Sequence, residues 1–215
     1  MMLFVNFKTY EEATGENAAR LAKLCEKVSK ETKIDIVPCV QAADIFRVSQ
    51  KVKVPVFAQS ADPIEYGAHT GSILIDSLIQ AGAKGTIINH SEKRINTGDI
   101  KKIVELCRKK KFTVLVCCQD ADEVKKFSSL NPDYIAYEPP ELIGGNISVS
   151  SAKPEIIEES VDNAGNVPLI VGAGVKNRND VSTSIELGAK GILVASGIVK
   201  AENQEKALRD LAGGF

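Results

Sequence analysis

Residues 81–89 read Ala81-Gly-Ala-Lys-Gly-Thr-Ile-Ile-Asn89, and residues 187–195 read Leu187-Gly-Ala-Lys-Gly-Ile-Leu-Val-Ala195. Each copy sets a glycine helix stop directly before a short apolar run, the join between a helix and the strand after it. Working outward from these joins, β-rich runs occur at Leu3–Asn6, Ile34–Pro38, Val56–Gln59, Thr86–Asn89, Thr113–Cys118, Tyr134–Glu138, Leu169–Gly172 and Ile192–Ala195. A segment of helical spacing follows each: Gly15–Lys30, Gln41–Gln50, Ser72–Ala81, Thr97–Lys110, Ala121–Ser128, Pro154–Asn163, Asn179–Leu187 and Asn203–Leu211. Thr97-Gly-Asp99 reads as a helix opening. Alternation of this kind is the pattern of βα units around a parallel sheet.

The count decides the architecture. A strand of ~5 residues, a helix of ~11 and two loops of ~4–6 take ~24–28 residues, so eight units nearly fill the chain. No second domain fits, and residues 1–215 are expected to form one α/β domain. Eight units close into a (β/α)₈ barrel, whereas a doubly wound open sheet normally has five or six strands. No linker or low-complexity segment interrupts the pattern.

Composition narrows the function. With 27 Lys+Arg against 28 Asp+Glu, the formal charge is -1 and the pI is near 6.2, so no broad cationic face is expected and nucleic acid is not an expected partner. The longest apolar stretches, such as Val114–Cys118, fall far short of the ~20 residues that span a bilayer, and no membrane partner is expected. The first residues carry no basic n-region, so no signal peptide is expected. Five cysteines (Cys25, Cys39, Cys107, Cys117, Cys118) without a C-x-x-C pair, beside only two histidines, His69 and His90, read as small buried hydrophobes in a reducing cytoplasm, not as a zinc site.

In such barrels the chemistry lies at the carboxyl ends of the strands. The first apolar run ends Asn6-Phe-Lys8, the fourth Asn89-His90-Ser91-Glu92, the sixth Glu138-Pro-Pro, the seventh Gly172-Ala-Gly174 and the eighth Ala195-Ser-Gly197. Alone, each of Lys8, His90 and Glu138 reads as an ordinary loop or helix-start residue. Barrel closure brings them to one rim, where a cation, an imidazole and a carboxylate form a proton-transfer set. The loops after strands seven and eight are where this fold commonly binds a phosphate on backbone N–H groups, which makes Gly174 and Ser196 candidates. Glu138-Pro-Pro-Glu-Leu-Ile-Gly-Gly-Asn146 has the make-up of a lid, a stiff apolar tip at Leu142-Ile143 between two bending points. Ser91–Arg94 is read as a short helix whose amino end would favour a neutral His90.

At these residues the chain resembles the triosephosphate isomerase family in its short archaeal form. The resemblance rests on Asn6-Phe-Lys-Thr-Tyr10, Ala58-Gln59, His69-Thr-Gly71, Asn89-His-Ser-Glu-Lys-Arg94, Tyr137-Glu-Pro-Pro-Glu-Leu-Ile-Gly144, Gly172-Ala-Gly174 and Ala195-Ser-Gly197, in order along the whole chain. It implies a TIM barrel that interconverts dihydroxyacetone phosphate and glyceraldehyde 3-phosphate in glycolysis and gluconeogenesis, with no cofactor and no metal. It further implies Glu138 as base, His90 as neutral electrophile, Lys8 as the cation beside the substrate and Asn6 as a polar contact. The backbone of Ile143, Gly174, Ala195 and Ser196 would hold the phosphate, and Glu92 would position Lys8. The chain departs from the short forms at Gly144-Gly-Asn-Ile-Ser148, where they usually carry Gly-Thr-Gly and a proline, and at Ser60, where histidine is common. The long loop Asp62–Gly71 after the third strand, with Ile64, Tyr66 and His69, is expected to insert into a second copy, giving a dimer or tetramer.

The rivals are another phosphate-handling barrel, such as a pentulose-phosphate epimerase or a phosphosugar isomerase, and a non-catalytic binding barrel. A metal-dependent epimerase needs histidine and aspartate ligands at several strand ends, which this sequence does not supply. Lys8, His90 and Glu138 together argue against a barrel without catalysis.

Overall fold

The computed structural model describes residues 1–140 and 154–215. Eight parallel strands close into a barrel in sequence order: β1 (Met2–Asn6), β2 (Asp35–Val40), β3 (Phe57–Ala58), β4 (Gly85–Ile88), β5 (Thr113–Cys118), β6 (Tyr134–Tyr137), β7 (Leu169–Val171) and β8 (Gly191–Val194). The helices outside them are α1 (Glu16–Thr32), α2 (Ile45–Ser49), α3 (Ile75–Gln80), α4 (Thr97–Lys110), α5 (Ala121–Ser128), α6 (Pro154–Ala164), α7 (Arg178–Glu186), α8 (Ser196–Val199) and α9 (Gln204–Ala212). The seam that closes the barrel pairs Met2 with Gly191 and Val5 with Val194.

Side chains alternate along each strand, so one set points to the axis and the other to the helices. Phe4, Val37, Cys39, Phe57, Ile87, Leu115, Cys117, Ala136, Ile170 and Leu193 form the inner cluster. Their neighbours, such as Leu3, Val5, Ile36, Val116, Ile135 and Ile192, pack outward against the helices. Phe4 fills the axis, its ring centroid 5.5 Å from those of both Phe57 and Tyr134. The barrel is therefore filled by side chains low down, and a cleft opens at its carboxyl end. Continuing the inward phase two residues past the plug reaches Asn6, Asn89, Glu138, Gly172 and Ala195. That is the step from sequence period to site.

The glycine stops expected from the opening repeats are present. Gly82 and Gly188 have φ of 100° and 102°, the left-handed conformation that ends a helix without a Cβ penalty. Other boundaries shift. The helix expected over Gln41–Gln50 is a 3₁₀ turn at Ala42–Asp44 followed by α2, because the buried Asp44 carboxylate turns aside to accept from the Gly15 N–H at 2.9 Å. The helix expected from Ser72 begins at Ile75, since the N–H and carbonyl of Ile73 are both bonded to Asp62 and Leu74 is extended. The opening of α4 is capped by Asn96, whose side chain accepts from the Asp99 N–H, not by Thr97. No helix forms over Ser91–Arg94, which is a turn.

The loop after β3 is tied at its neck. The Asp62 N–H donates to the Ile73 carbonyl at 2.9 Å, and its carboxylate accepts from the Ile73 N–H at 2.6 Å. Beyond that neck residues 65–72 are exposed, with Tyr66 at 68% and its hydroxyl accepting from Gln80 at 3.1 Å. All five cysteines are free and buried, as their reading as small hydrophobes requires. Among the described residues no helix is long and apolar enough to cross a membrane. The expectations for the Leu142-Ile143 tip, the Ile143 phosphate contact and the Gly144-Gly-Asn146 hinge lie outside the described residues.

Candidate active site

A cleft of about 390 Å³ opens at the carboxyl end of the barrel, lined by Asn6, Lys8, Tyr10, His90 and Glu138 on one side and by Gly174, Lys176, Ala195 and Ser196 on the other. Asn6, Lys8, His90, Glu138, Gly174, Ala195 and Ser196 of the sequence-derived set thus converge, Glu92 stands beside the cleft, paired with Lys8, and Ile143 lies outside the described residues.

Lys8 stands past the end of β1 with φ of 47°, a conformation that costs a residue with a Cβ ~1–2 kcal/mol. Two amides hold it there. Asn6 Oδ1 accepts from the Lys8 N–H at 3.0 Å, and Gln59 Nε2 donates to the Lys8 carbonyl at 3.0 Å and to the Cys39 carbonyl at 3.0 Å. The side chain runs up to Glu92, with Nζ 2.7 Å from Oε1. Glu92 is mostly exposed and Lys8 mostly buried, so the carboxylate orients the ammonium from the solvent side and leaves it bordering the cleft.

His90 is buried at 7% exposure, directly after Asn89, a residue with φ of 60°. Its Nδ1 accepts from the Glu92 N–H at 3.1 Å. An acceptor role for Nδ1 is the arrangement that goes with the tautomer carrying its N–H on Nε2. The contact comes from the backbone of a turn, where a short helix over Ser91–Arg94 was expected. Nε2 faces Glu138, 3.7 Å from Oε2.

Glu138 leaves the ladder of β6 with its N–H donating to the Cys118 carbonyl at 2.8 Å. Its side chain is buried, and Oε2 has no hydrogen-bond partner among the described residues. A carboxylate oxygen withdrawn from water and left unpaired is an uncompensated cost unless something else comes to it. Beneath it lies the Cys117 thiol, pushed well above the ordinary thiol range by burial first and by the Glu138 carboxyl second.

The far wall is backbone. Ala173 and Gly174 both have positive φ, 70° and 71°, and Ala195 (φ -129°, ψ -93°) turns β8 into α8. The first intrahelical bonds of α8 run from the Ile198 and Val199 N–H groups back to the Ala195 carbonyl. The N–H groups of Ser196 and Gly197 precede them in the first turn. Tyr10, Val175, Lys176, Leu193 and Gly197 also line the cleft and were not singled out from the sequence. Tyr10 ends the first quoted motif and Lys176 follows Gly174 by two, so nearness to a strand end was their only signal.

This geometry can be set beside known proteins. The family model described as triosephosphate isomerase matches residues 1–211. The chain belongs to the triosephosphate isomerase family. Curated relatives named triosephosphate isomerase include that of Methanothermus fervidus, 44% identical over 214 residues, covering 98% of this chain and 96% of the relative. That of Methanocaldococcus jannaschii is 42% identical over 215 residues, covering 98% of each. That of Saccharolobus solfataricus is 42% identical over 212 residues, covering 97% of this chain and 93% of the relative. The resemblance drawn from the quoted motifs is therefore membership of the triosephosphate isomerase family, along nearly the whole chain.

Proposed function

We propose that this protein interconverts dihydroxyacetone phosphate and glyceraldehyde 3-phosphate, with Glu138 as the base and His90 as the electrophile. The observation that carries the reading is the pair Glu138 Oε2 and His90 Nε2, a buried carboxylate oxygen with no hydrogen-bond partner among the described residues and an imidazole nitrogen, 3.7 Å apart. Family membership supplies the substrate class.

The chemistry follows from what each group can hold. A carbon-bound proton beside a carbonyl leaves when the charge arriving on oxygen is stabilised as it forms. Glu138 takes the proton, the C–H pair becomes the carbon–carbon double bond of an enediolate, and the carbonyl pair moves onto oxygen. His90 Nε2–H donates to that oxygen and relays a proton between the two oxygens, and Glu138 returns its proton to the adjacent carbon. A placed oxyanion donor contributes ~2.7–4 kcal/mol and a placed base ~10²–10⁴ in rate. Lys8 adds positive charge beside the oxygens, and Asn6 keeps the Lys8 backbone turned toward them. The phosphate sits at Gly174, Ala195 and Ser196, where left-handed backbone and the start of α8 present N–H groups. Ile143 would complete that shell from the lid, shutting water out as the intermediate forms.

The reading extends to assembly and place. The exposed, neck-tied loop 62–71 inserts into a second copy near its Lys8 loop, making a homo-oligomer, dimer or tetramer, that works in the cytoplasm. The test is a coupled assay on purified protein without added metal. Isomerisation in both directions is expected. Its absence, or a Glu138→Gln variant within about threefold of the parent, would overturn the assignment.

A further inference from the structure

The base and the electrophile sit on different strands, β6 and β4, and β5 lies between them. Two consecutive carbonyls of β5 receive the Glu138 backbone and the side chain of Asn89, the residue before His90. The Cys118 carbonyl accepts the Glu138 N–H at 2.8 Å, and the Cys117 carbonyl accepts Asn89 Nδ2 at 2.9 Å. Asn89 precedes His90 and is 2% exposed. Its φ of 60° places it in the left-handed region, where asparagine is among the few residues with a side chain that settle readily.

Every polar group of the Asn89 side chain is used. Nδ2 reaches across to β5, while Oδ1 accepts from the Ile95 N–H at 3.2 Å. The second bond closes the His90 turn from its far end, inside which the Lys93 N–H meets the His90 carbonyl at 2.8 Å and the Glu92 N–H meets His90 Nδ1 at 3.1 Å. The Asn89 carbonyl accepts from Arg94 Nη1 at 3.3 Å, and the Arg94 guanidinium is itself paired with Glu123 on α5. Glycine would satisfy the φ alone. A buried amide bonded at both ends does more than satisfy a dihedral angle.

We propose that Asn89 is a positioning residue for His90: its amide ties the left-handed corner to the Cys117 carbonyl and thereby fixes the direction of the imidazole relative to Glu138. The reference is shared, since the neighbouring Cys118 carbonyl fixes the other partner. Asn89 touches no reacting atom. Its effect passes through the orientation of the ring and through the Glu92 N–H that selects the ring's tautomer. The catalytic consequence rests on the reading of His90 as electrophile, whereas the positioning itself does not.

The experiment uses the full chain with Asn89→Gly, which keeps the left-handed φ free of strain, and Asn89→Asp, which keeps the acceptor for Ile95 and loses the donor to Cys117. Imidazole ¹⁵N–¹H spectra read the ring directly, and with only two histidines in the chain a His90→Gln control assigns the signals. In the parent, His90 Nδ1 should appear as an unprotonated acceptor and Nε2 as protonated. In both variants the two nitrogen shifts should move toward each other as the tautomers average. Turnover should fall about 10- to 100-fold, the usual scale for a misdirected catalytic group, with KM changed by less than about threefold. Unchanged His90 signals in a folded variant overturn the proposal, whatever the turnover does. Altered signals with parental turnover uphold the positioning and instead overturn the role given to His90. Should Asn89→Gly fail to fold, the same readings on Asn89→Asp decide.

Discussion

Gly172 and Glu138 occupy touching volumes: a Cβ on Gly172 would lie 2.5 Å from Glu138 Cγ and 2.9 Å from Oε1. The Glu138 side chain therefore rests against the bare backbone just past β7, and the absence of a side chain at Gly172 is part of how it comes to face His90. Gly172→Ala should leave the barrel folded, since overpacking of this kind costs ~1–3 kcal/mol, while turnover falls ~100-fold because the carboxylate is displaced. Steady-state kinetics beside a melting curve checks the pair of outcomes. Parental turnover would show that Glu138 does not depend on this wall.

His90→Gln should keep the fold and lower turnover by ~10²–10³, the loss that follows removal of one oxyanion donor. The enediolate would also be held less well, so the share of intermediate lost to phosphate elimination should rise. Measuring inorganic phosphate released per isomerisation reads this directly. Kinetics equal to the parent's would make His90 structural.

For Lys8→Ala the prediction is a split between binding and stability. The ion pair to Glu92 is largely open to water on the Glu92 side, and such pairs contribute ~0–1 kcal/mol. Alanine keeps the same strained φ as lysine, so no backbone cost is added or removed. Thermal unfolding should stay within a few degrees of the parent, while affinity for a phosphate-bearing inhibitor and turnover both collapse. Parental inhibitor affinity would place Lys8 outside the site.

The buried thiols predict an alkaline weakness. Burial, with a smaller push from Asp133, moves the Cys107 thiol up to about 12, and Cys25, Cys39, Cys117 and Cys118 are likewise raised by burial. The unfolded chain ionises its thiols from pH ~8.5, so above that pH it binds fewer protons than the folded protein and is favoured by further rise. This part of the stability is complete below pH ~8.5 and is lost toward pH 12 for Cys107. The melting temperature should drop above pH ~9 and drop less steeply in Cys107→Ala. Equal slopes would refute this origin. A disulfide reagent at neutral pH should find none of the five thiols until the chain unfolds.

Tyr66 offers the assembly test. It is 68% exposed on the single chain, which is a poor place for an aromatic ring that stays in water. Tyr66→Lys should reduce the particle to a single chain in light scattering and lower turnover with it, because the neighbour's Lys8 loop would lose its support. A parental particle size would remove the loop from the contact.

How far the residues themselves disclosed this arrangement varies by scale. The barrel was legible because β-type runs and helical spacing are dictated locally, and the polar ends Asn6, Lys8, His90 and Glu138 stand out against apolar runs. The limits of the third strand were not, since Val56 and Gln59 read as strand residues while the ladder keeps only Phe57–Ala58. Gln59 has its side-chain amide on two carbonyls from other loops and strands, a contact no local pattern contains. A short helix was expected after His90, and the structure has a turn there whose Glu92 N–H donates to Nδ1 instead. The tie from Asn89 to Cys117 joins residues 28 positions apart and belongs to the closed barrel alone.

The seam between β1 and β8 joins the second residue of the chain to the 191st. A parallel sheet grown from the amino end therefore carries two open edges until its last strand arrives, and closing so long a loop is an entropic cost met only at the end. One edge of β1 can be paired as soon as β2 exists, whereas the edge that faces β8 waits for a strand almost 190 residues further on. Once that partner docks, no free strand edge remains to recruit another chain, and the hazard of aggregation is confined to the interval before closure.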